Sequence, residues 1–391
     1  MNQRVFFSLS FGLATTLFAA EPPEPKFRTV EIDNKIQIGY GLAIADVDGD
    51  GKPDILLADK KQFVWYKNPT WEKFVLAENL TKEDNVCIAA MDIDGDGKCE
   101  IAVGAGWNPG DTVNSGAVFY LVAPKDRKQM WEAIPLHHEP TVHRMKWVKN
   151  ADGKYDLVVV PLHGRGNKNG EGDGVKVLAY KMPADPKAEW KTEVVDDSMH
   201  LTHNFQPTDS RILVGGKEGI MAVERRGKAE RSQLVNSTEH SSKGVGEIRL
   251  GKLANGKGFM TTVEPMHGDN LVVYTSDSPK NAAPFKRAVL DPTLVDGHAL
   301  ACADFLGTGS DQIVVGWRAM NKPKEVKVGI KLFAAIDADG KNWRASLIDD
   351  NGMACEDLVV ADLNGDGKPD IIAAGRATKN VKIYFNESGP K

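Results

Sequence analysis

The sequence predicts an all-β fold, a seven-bladed β-propeller with four strands in each blade. The first observation is an internal repeat, because AIADVDGDGKPDILLAD (43–59), AAMDIDGDGKCEIAVGAG (89–106) and VVADLNGDGKPDIIAAG (359–375) nearly superimpose. Each segment is typical of an apolar strand, an acidic glycine-rich turn and a second apolar strand. Four weaker copies bring the number to seven, at a spacing of about 45–60 residues that is typical of propeller blades. The weaker copies are 145–164, 205–216, 246–268 and 299–317.

Two further strand types and one unpaired strand complete the pattern. Each repeat is followed by a third apolar strand, such as GAVFYLVAP, and six repeats by a fourth, more polar strand, such as EWKTEVVDD. No fourth strand follows VKIYFNE, but KFRTVEIDN (26–34) has that pattern and precedes the first repeat. We therefore predict that 26–34 pairs with 381–386 and closes the ring, which hides the sheet edges. An open array of four-stranded units would leave 26–34 without a partner.

The overall composition excludes several classes of protein. The 391 residues contain 49 Lys and Arg against 54 Asp and Glu, so no basic surface for nucleic acid is expected. With 41% hydrophobic and 26% charged residues, the chain has a globular composition rather than that of a disordered protein. No feature of the sequence indicates a particular oligomeric state.

The first twenty residues are typical of a secretory signal peptide. Arg4 precedes an apolar run from Val5 to Phe18, and two alanines then lead into a proline-rich segment. The run is short for a bilayer span, and an uncleaved anchor is the alternative interpretation. We predict that 1–20 is removed and that 21–391 is a single propeller domain with a short tail. The mature protein is expected without a membrane span, exported to the periplasm or out of the cell.

The four cysteines do not indicate a disulfide framework. Cys87, Cys302 and Cys355 lie in apolar segments rich in small residues, whereas Cys99 lies in a turn. Buried free thiols fit such segments, and a core of this size does not need covalent cross-links. We therefore expect no disulfide framework.

The acidic turns of the three clearest repeats predict calcium sites. Alternate positions supply carboxylate or amide oxygens, and the glycines allow the chain to wrap tightly. Oxygen ligands without His or Cys favour Ca²⁺ over zinc, and three carboxylates in five residues would repel each other without a cation. The expected role is structural, clipping the two inner strands of a blade together. The predicted ligands are Asp46, Asp48, Asp50 and Asp54; Asp92, Asp94, Asp96 and Glu100; and Asp362, Asn364, Asp366 and Asp370.

These turns and their flanking strands resemble the FG-GAP/VCBS repeats of integrin-α-type seven-bladed propellers. The resemblance covers 26–386 and is specific for the fold, but adhesins, lectins and lyases share it. Segments such as HHEPTVHRMKW and GHALACADFLGTGSDQIVVGWR more narrowly resemble the propeller domain of aldos-2-ulose dehydratases. This resemblance implies elimination of water from a keto-sugar such as 1,5-anhydrofructose. The cupin-like domains of fungal members have no counterpart in these residues, so their isomerase step is not implied.

The nine histidines are predicted to lie on the face opposite the calcium turns. His163 and His267 follow second strands, and the other seven lie in or just after the connectors between blades. In a propeller both of these positions belong to the same face. Because histidine is a common metal ligand and acid–base group, this segregation favours a functional face.

The strand register refines this prediction. The inner strands begin six residues before the Asp that opens each turn, nearest to the propeller axis, and this position holds Tyr40, His298 and Glu356, with His143, His203 and Glu247 as approximate equivalents. A ring of imidazoles with carboxylates and a phenol is expected at the axial mouth, surrounded by Trp and cationic residues at the ends of second strands. The expected substrate-binding residues are Trp107, His163, His267, Trp317, Arg318, Arg144 and Arg376.

Two functions from different classes follow. The first is an exported lyase or dehydratase acting on a keto-sugar or a uronate-type sugar, with His298, His203, His143 and Tyr40 as catalytic residues. A zinc or other divalent ion on His143, His203 and His298, with Glu356 or Glu247 as a candidate further ligand, would polarise the carbonyl. A neighbouring His or Tyr40 would take the proton, and a second group would protonate the leaving hydroxyl.

The alternative is a calcium-stabilised propeller without enzymatic activity that presents Trp107 and Trp317 to a glycan or protein. The geometry of the histidines distinguishes the two. Three histidines that converge on one axial point would favour the enzyme, whereas histidines in separate loops would favour the binding protein.

Overall fold

The computed structural model describes residues 21–225, 230–238, 243–278, 284–319 and 326–389. The predicted signal peptide (1–20), His240 and the last two residues lie outside the described residues. The described chain contains 28 β-strands, and no helix in it is long and apolar enough to cross a membrane.

The strands form seven antiparallel sheets of four strands, as predicted. Six of these blades are continuous in sequence. Blade 1 is β2 (Gly41–Ala45), β3 (Asp54–Ala58), β4 (Gln62–Lys67) and β5 (Glu72–Glu78); blade 2 is β6 (Cys87–Met91), β7 (Glu100–Ala105), β8 (Ala117–Val122) and β9 (Glu132–Leu136); blade 3 is β10 (Val142–Lys149), β11 (Tyr155–Pro161), β12 (Val177–Lys181) and β13 (Lys191–Asp196). Blade 4 is β14 (Thr202–Pro207), β15 (Arg211–Gly216), β16 (Gly219–Glu224) and β17 (Arg231–Asn236); blade 5 is β18 (Ile248–Lys252), β19 (Gly258–Glu264), β20 (Asn270–Thr275) and β21 (Lys286–Asp291); blade 6 is β22 (Gly297–Ala303), β23 (Gln312–Trp317), β24 (Gly329–Ala335) and β25 (Trp343–Asp350).

The last blade joins the two ends of the chain. It contains β26 (Cys355–Ala361), β27 (Asp370–Gly375), β28 (Asn380–Asn386) and, as its outer strand, β1 (Phe27–Asp33). The register places Phe27 opposite Asn386 and Val30 opposite Ile383. The prediction that 26–34 pairs with 381–386 is therefore confirmed.

The hydrophobic core lies between the blades. Each of seven buried clusters combines residues of two neighbouring blades, so every sheet buries both of its faces. One of these clusters joins Leu42 and Ile55 of blade 1 to Ile372 and Val381 of blade 7. This junction closes the ring, and burial of the apolar strands against their neighbours stabilises it. The four cysteines are free thiols.

The first strand of every blade faces the central axis of the propeller. These seven strands run from the face that carries most histidines towards the face that carries the acidic turns. The histidines and the acidic turns therefore lie at opposite ends of the same inner strands.

Candidate active site

Three histidines from blades 4, 5 and 6 converge at one end of the axis. One ring nitrogen from each of His203, His267 and His298 lies within 4.8 Å of those from the other two. His203 is in β14, His298 is in β22, and His267 follows β19. The Nε2 atoms of His203 and His267 are 2.7 Å apart. Three converging imidazoles are a donor set that a divalent transition metal prefers.

The outward-facing nitrogens of two of these rings lie against oxygen atoms of glutamates. Nδ1 of His203 lies 3.2 Å from Oε1 of Glu247, and both side chains are buried. Nδ1 of His298 is hydrogen-bonded to the backbone oxygen of Glu356. The bond to Glu356 fixes the His298 ring with its proton on Nδ1 and leaves Nε2 as the acceptor, which is the arrangement seen behind metal-binding histidines. His203 Nδ1 and Glu247 Oε1 lie at ion-pair distance but not in hydrogen-bond geometry.

The surroundings keep these imidazoles neutral. Burial lowers the pKa of His203, although the adjoining Glu247 opposes that effect. Burial and the nearby Arg318 charge hold the pKa of His298 well below its usual value. His267 is the exposed member of the cluster, but enclosure of its ring among the neighbouring side chains and the adjoining His203 also lower its pKa. Burial raises the pKa of Glu247, but its contact with His203 and the charge of Arg249 outweigh that and bring it to about 2. The carboxylate is thus ionised beside a neutral ring.

His143 lies next to this cluster but is not part of it, which differs from the predicted metal set. Its Nδ1 donates to the backbone oxygen of His203 at 2.8 Å, and its Nε2 accepts from Arg144 Nη1 at 3.2 Å. Its ring stacks on Trp107, with centroids 5.0 Å apart. Because both of its ring nitrogens have protein partners, His143 has no nitrogen free to bind a metal. His267 instead is the third histidine of the cluster, the position predicted for His143.

Glu356 also differs from its predicted role as a metal ligand. One carboxylate oxygen accepts from Arg318 at 2.6 Å and the other from Arg376 at 2.9 Å. Arg318 is itself buried and donates to Asp296 at 3.0 Å. Glu356 therefore anchors two guanidinium groups and contributes its backbone oxygen, rather than its carboxylate, to the histidine cluster.

Tyr40 lies at the same mouth beside Arg376. Its hydroxyl donates to Asp84 Oδ2 at 3.1 Å, and the Arg376 guanidinium lies 5.2 Å from the ring centroid. Burial raises the pKa of Tyr40 above its ordinary value. A phenol that stays protonated can donate a proton but cannot act as the base at neutral pH.

The two tryptophans are not exposed platforms. Trp317 is only 8% exposed, lies in the core between blades 5 and 6, and donates its indole N–H to the Lys327 backbone oxygen at 2.7 Å. Trp107 is half-buried and has one face covered by His143. The prediction of an outer aromatic rim is wrong for Trp317, because its strand end is packed against the neighbouring blade.

His163, a predicted substrate-binding residue, lies outside the histidine cluster. It follows β11, is half-buried, and forms a backbone bridge with Leu201, two residues before His203. Burial lowers its pKa, which leaves it neutral at pH 7. The structure does not bring the three remaining described histidines, His137, His138 and His200, into the cluster.

The acidic turns wrap around the carboxylate that opens them. The two oxygens of Asp46 accept the backbone N–H groups of Gly49 and Gly51, both at 2.7 Å, and both glycines have positive φ. Asp92 and Asp362 make the same pair of bonds in their turns. Asp304 accepts a similar pair, from the N–H groups of Thr308 and Gly309, in a turn without acidic residues at its third and fifth positions. Backbone hydrogen bonds alone therefore suffice for the wrap.

The carboxylates at the ninth position face inwards. Asp54 accepts the N–H groups of Val47 at 2.9 Å and Asn68 at 2.8 Å, and Asp370 makes the equivalent bonds. Gln312 fills this position in blade 6 and accepts the N–H of Leu306 at 2.9 Å. These residues, together with Glu100, accept backbone N–H groups of the turn or at the end of the third strand. This role differs from the predicted one, in which the ninth carboxylate closes a cation site. Burial raises the pKa of Asp54 to about 6 and of Glu100 to about 7.

In the first two turns, the carboxylates at the first, third and fifth positions lie close together. One oxygen from each of Asp46, Asp48 and Asp50 lies within 4.8 Å of the others, and Asp92, Asp94 and Asp96 form a second such group. In the third turn, Asn364 donates to Asp366 at 3.2 Å. In the first turn the Lys67 ammonium contacts both Asp48 and Asp50. Calcium at these turns stays a prediction.

A set of polar residues on the axis below the histidines was not predicted from the sequence. Lys146 and Arg249 line the axial cavity together with Arg144, which had been assigned to the mouth. The alternation of Arg144 and Lys146 along β10 was the available signal, because residues i and i+2 of a strand face the same side.

Comparison with known proteins agrees with the repeat pattern and with the fold. The family model of FG-GAP-like repeats matches residues 46–103, and that of the aldos-2-ulose dehydratase β-propeller domain matches residues 115–277. The second match includes His143, His203 and His267. Aldos-2-ulose dehydratase from Phanerodontia chrysosporium is 23% identical over 306 residues, which cover 70% of this chain and 33% of the relative. The chain thus spans about a third of the length of the curated relative it matches, and the predicted resemblance is confirmed.

Solved structures share the propeller architecture with this chain. A chain of the mitotic checkpoint complex has a TM-score of 0.56 with 12% identity and covers 99% of this chain and 100% of its own. The β-propeller domain of Cps50 (Swd1) from Myceliophteria thermophila has a TM-score of 0.51 with 10% identity, covering 91% of this chain and 99% of its own. These similarities show the fold alone.

Proposed function

We propose that this protein is an exported carbohydrate-active lyase that removes water from a keto-sugar of the 1,5-anhydrofructose type or from a uronate-type sugar. The observation that carries the proposal is the convergence of His203, His267 and His298 at the mouth of the axis. The similarity to an aldos-2-ulose dehydratase supports a sugar as substrate. A structural role for Ca²⁺ in the acidic turns is part of the same proposal.

The histidine cluster fits a divalent metal such as Zn²⁺. Its rings are neutral, the Glu356 backbone oxygen holds Nδ1 of His298, and the Glu247 carboxylate lies 3.2 Å from Nδ1 of His203. Three imidazoles leave a coordination position for substrate. A divalent metal bound there would polarise the sugar carbonyl as a Lewis acid.

The other residues of the mouth would orient the sugar and move protons. Arg376, held by Glu356 and half-buried, can hydrogen-bond a sugar hydroxyl or carboxylate. His163 can accept the proton on carbon beside the carbonyl at Nε2, because its Nδ1 is buried. The Tyr40 hydroxyl can then donate its proton to the leaving hydroxyl, which departs as water while the carbon–carbon double bond forms.

The structure gives less support to a binding protein without activity. That alternative needs two tryptophans exposed at the mouth, whereas Trp317 is buried and Trp107 stacks on His143. Convergence of three histidines on one point distinguishes the two functions and favours the enzyme.

The test is metal analysis of purified protein, followed by an elimination assay on 1,5-anhydrofructose that monitors ultraviolet absorbance of the unsaturated product. We expect about one transition-metal ion per chain and turnover that a chelator stops and added metal restores. Protein that carries no transition metal after reconstitution, or that turns over neither a keto-sugar nor a uronate, would overturn the proposal.

A further inference from the structure

A cavity of about 520 Å³ occupies the axis directly below the histidine cluster. Inner strands of all seven blades line it, and in blades 3 and 4 the lining begins at the residue after His143 and His203. Much of its wall is formed by small side chains and backbone, including Gly41, Ala43, Ala89 and Ala301. The volume is sufficient for a molecule the size of a monosaccharide.

The cavity opens towards the face that carries the acidic turns. In β2 the residues change from buried at Gly41 to partly exposed at Ala45, and β6, β18, β22 and β26 follow the same trend. At the opposite end His143, His203 and His298 are each at most 5% exposed. A ligand in this cavity would therefore enter from the face opposite the candidate active site.

The walls of the cavity carry unbalanced positive charge. Arg144 and Lys146 line it from β10, and within the described part of the chain neither forms an ion pair with a carboxylate. The third cation, Arg249, shares Glu247 at 3.4 Å with His203. Asp357 is the carboxylate of the wall, and its oxygens accept backbone N–H groups of Leu42 at 2.7 Å and Leu358 at 2.9 Å.

The ammonium group of Lys146 has unused hydrogen-bonding capacity. Its Nζ donates to the Phe205 backbone oxygen at 3.0 Å, which occupies one of three N–H groups. Enclosure in the cavity and the charge of Arg249 lower the pKa of Lys146 to about 7. Three cations beside two carboxylates leave an excess of positive charge, and an anion between the cations would relieve their repulsion.

We propose that the axial cavity is a binding site for a small oxyanion, either the carboxylate of a sugar acid or a phosphate, held by Lys146, Arg144 and Arg249. Guanidinium and ammonium groups are the donors that bind carboxylate and phosphate with charge-assisted hydrogen bonds. The small apolar side chains of the wall leave room for a carbon skeleton behind the charged group. The site is separate from the histidine cluster, and the proposal does not depend on the proposed elimination activity.

The test is calorimetric titration of the full chain with inorganic phosphate and, separately, with glucuronate, at constant ionic strength. We expect saturable binding of one anion per chain, and Lys146→Met should weaken it roughly tenfold or more, since a charge-assisted hydrogen bond is lost. Tighter binding of glucuronate would identify a sugar acid as the ligand, and tighter binding of phosphate would identify a phosphate. Lys149→Met is the matched control on the same strand, because Lys149 is exposed and should leave the affinity unchanged.

Two further variants keep the test decisive. Lys146→Arg should retain most of the affinity, and Lys146→Met should stay folded with a melting temperature close to that of the wild type, because Lys146 forms no ion pair with a carboxylate in the described part of the chain. Wild type that binds neither anion, or Lys146→Met with unchanged affinity, would overturn the proposal. Binding that is lost in His298→Ala but kept in Lys146→Met would place the anion at the histidine cluster instead, and would also overturn it.

Discussion

The Nε2 atoms of His203 and His267 are 2.7 Å apart although the residues are 64 positions apart in the chain and belong to neighbouring blades. His203 begins an inner strand, whereas His267 follows a second strand and has a left-handed backbone with φ of 52°. Such a conformation is uncommon for a residue with a side chain and is frequent at functional sites. The pair therefore links two blades at the point where the histidines converge.

Replacing His267 should have a different effect from replacing His143. We expect His267→Ala, like His203→Ala and His298→Ala, to lose bound transition metal and turnover, because each removes one of three converging nitrogens. His143→Ala should keep the metal, since both of its ring nitrogens already have protein partners. Metal content per chain, measured by inductively coupled plasma mass spectrometry, distinguishes the two groups of variants. Loss of metal in His143→Ala with retention in His267→Ala would restore the metal set predicted from the sequence.

Glu247→Gln should weaken metal binding roughly 10–100-fold, because a carboxylate behind a ligating imidazole fixes its tautomer and raises its basicity. The measurement is competition with a chromogenic chelator. Glu218→Gln is the matched control, since the Glu218 carboxylate lies 2.9 Å from Nδ1 of His200, a histidine outside the cluster. Equal metal affinity in the two variants would show that Glu247 does not support a ligand.

Replacing His163 should lower turnover without loss of metal. We expect His163→Ala to reduce kcat roughly 10²–10⁴-fold, the range for removal of a general acid or base, while metal content stays at the wild-type value. A kcat within a few-fold of wild type would remove His163 as the proton acceptor.

Asp48→Ala should lower thermal stability in calcium and spare the activity of the folded protein. The turn lies on the face opposite the histidines, and one site at a hundredfold excess of ligand over its dissociation constant adds about 2.7 kcal/mol. The melting temperature is measured with calcium and with chelator. An unchanged melting temperature for wild type in chelator would argue against structural calcium, and lost activity with unchanged stability would show that the faces were assigned wrongly.

Lys67→Met should strengthen calcium binding at the first acidic turn. The Lys67 ammonium contacts Asp48 and Asp50, so it competes with a cation for their oxygens. The equivalent position in blade 2 is Val122, and the turn of Asp94 and Asp96 has no such competitor among the described residues. Calcium titration of Lys67→Met should show higher affinity than wild type at one site only. Unchanged calcium affinity would mean that Lys67 moves aside without cost.

Asp370→Ala should destabilise the protein more than Asp366→Ala, with or without calcium. Asp370 is buried and accepts two backbone N–H groups, whereas Asp366 is exposed, and each buried group left without a partner costs about 1–3 kcal/mol. Denaturant unfolding in chelator measures the difference. Equal stability of the two variants in chelator would return Asp370 to the role of a cation ligand.

The repeats determined most of the fold. Strands within a blade pair with their neighbours in sequence, so the alternation of apolar strand and turn carries the information locally. The position of 26–34 was also predictable, because seven repeats with six fourth strands leave one partner missing. His203 and His298 could be placed near the axis because the distance from the acidic turn fixes the start of each inner strand.

Only the tertiary structure decided which side chains meet. Whether His143 or His267 joins the cluster depends on the rotation of neighbouring blades about the axis and on side-chain partners far away in sequence, such as Arg144 for His143 and Glu247 for His203. Likewise Trp317 is buried because blade 5 packs against blade 6, and the charged cavity around Lys146 exists only once seven inner strands surround the axis. A repeat pattern specifies the blade, whereas the closed ring specifies the site, because contacts between blades join residues that no local pattern relates.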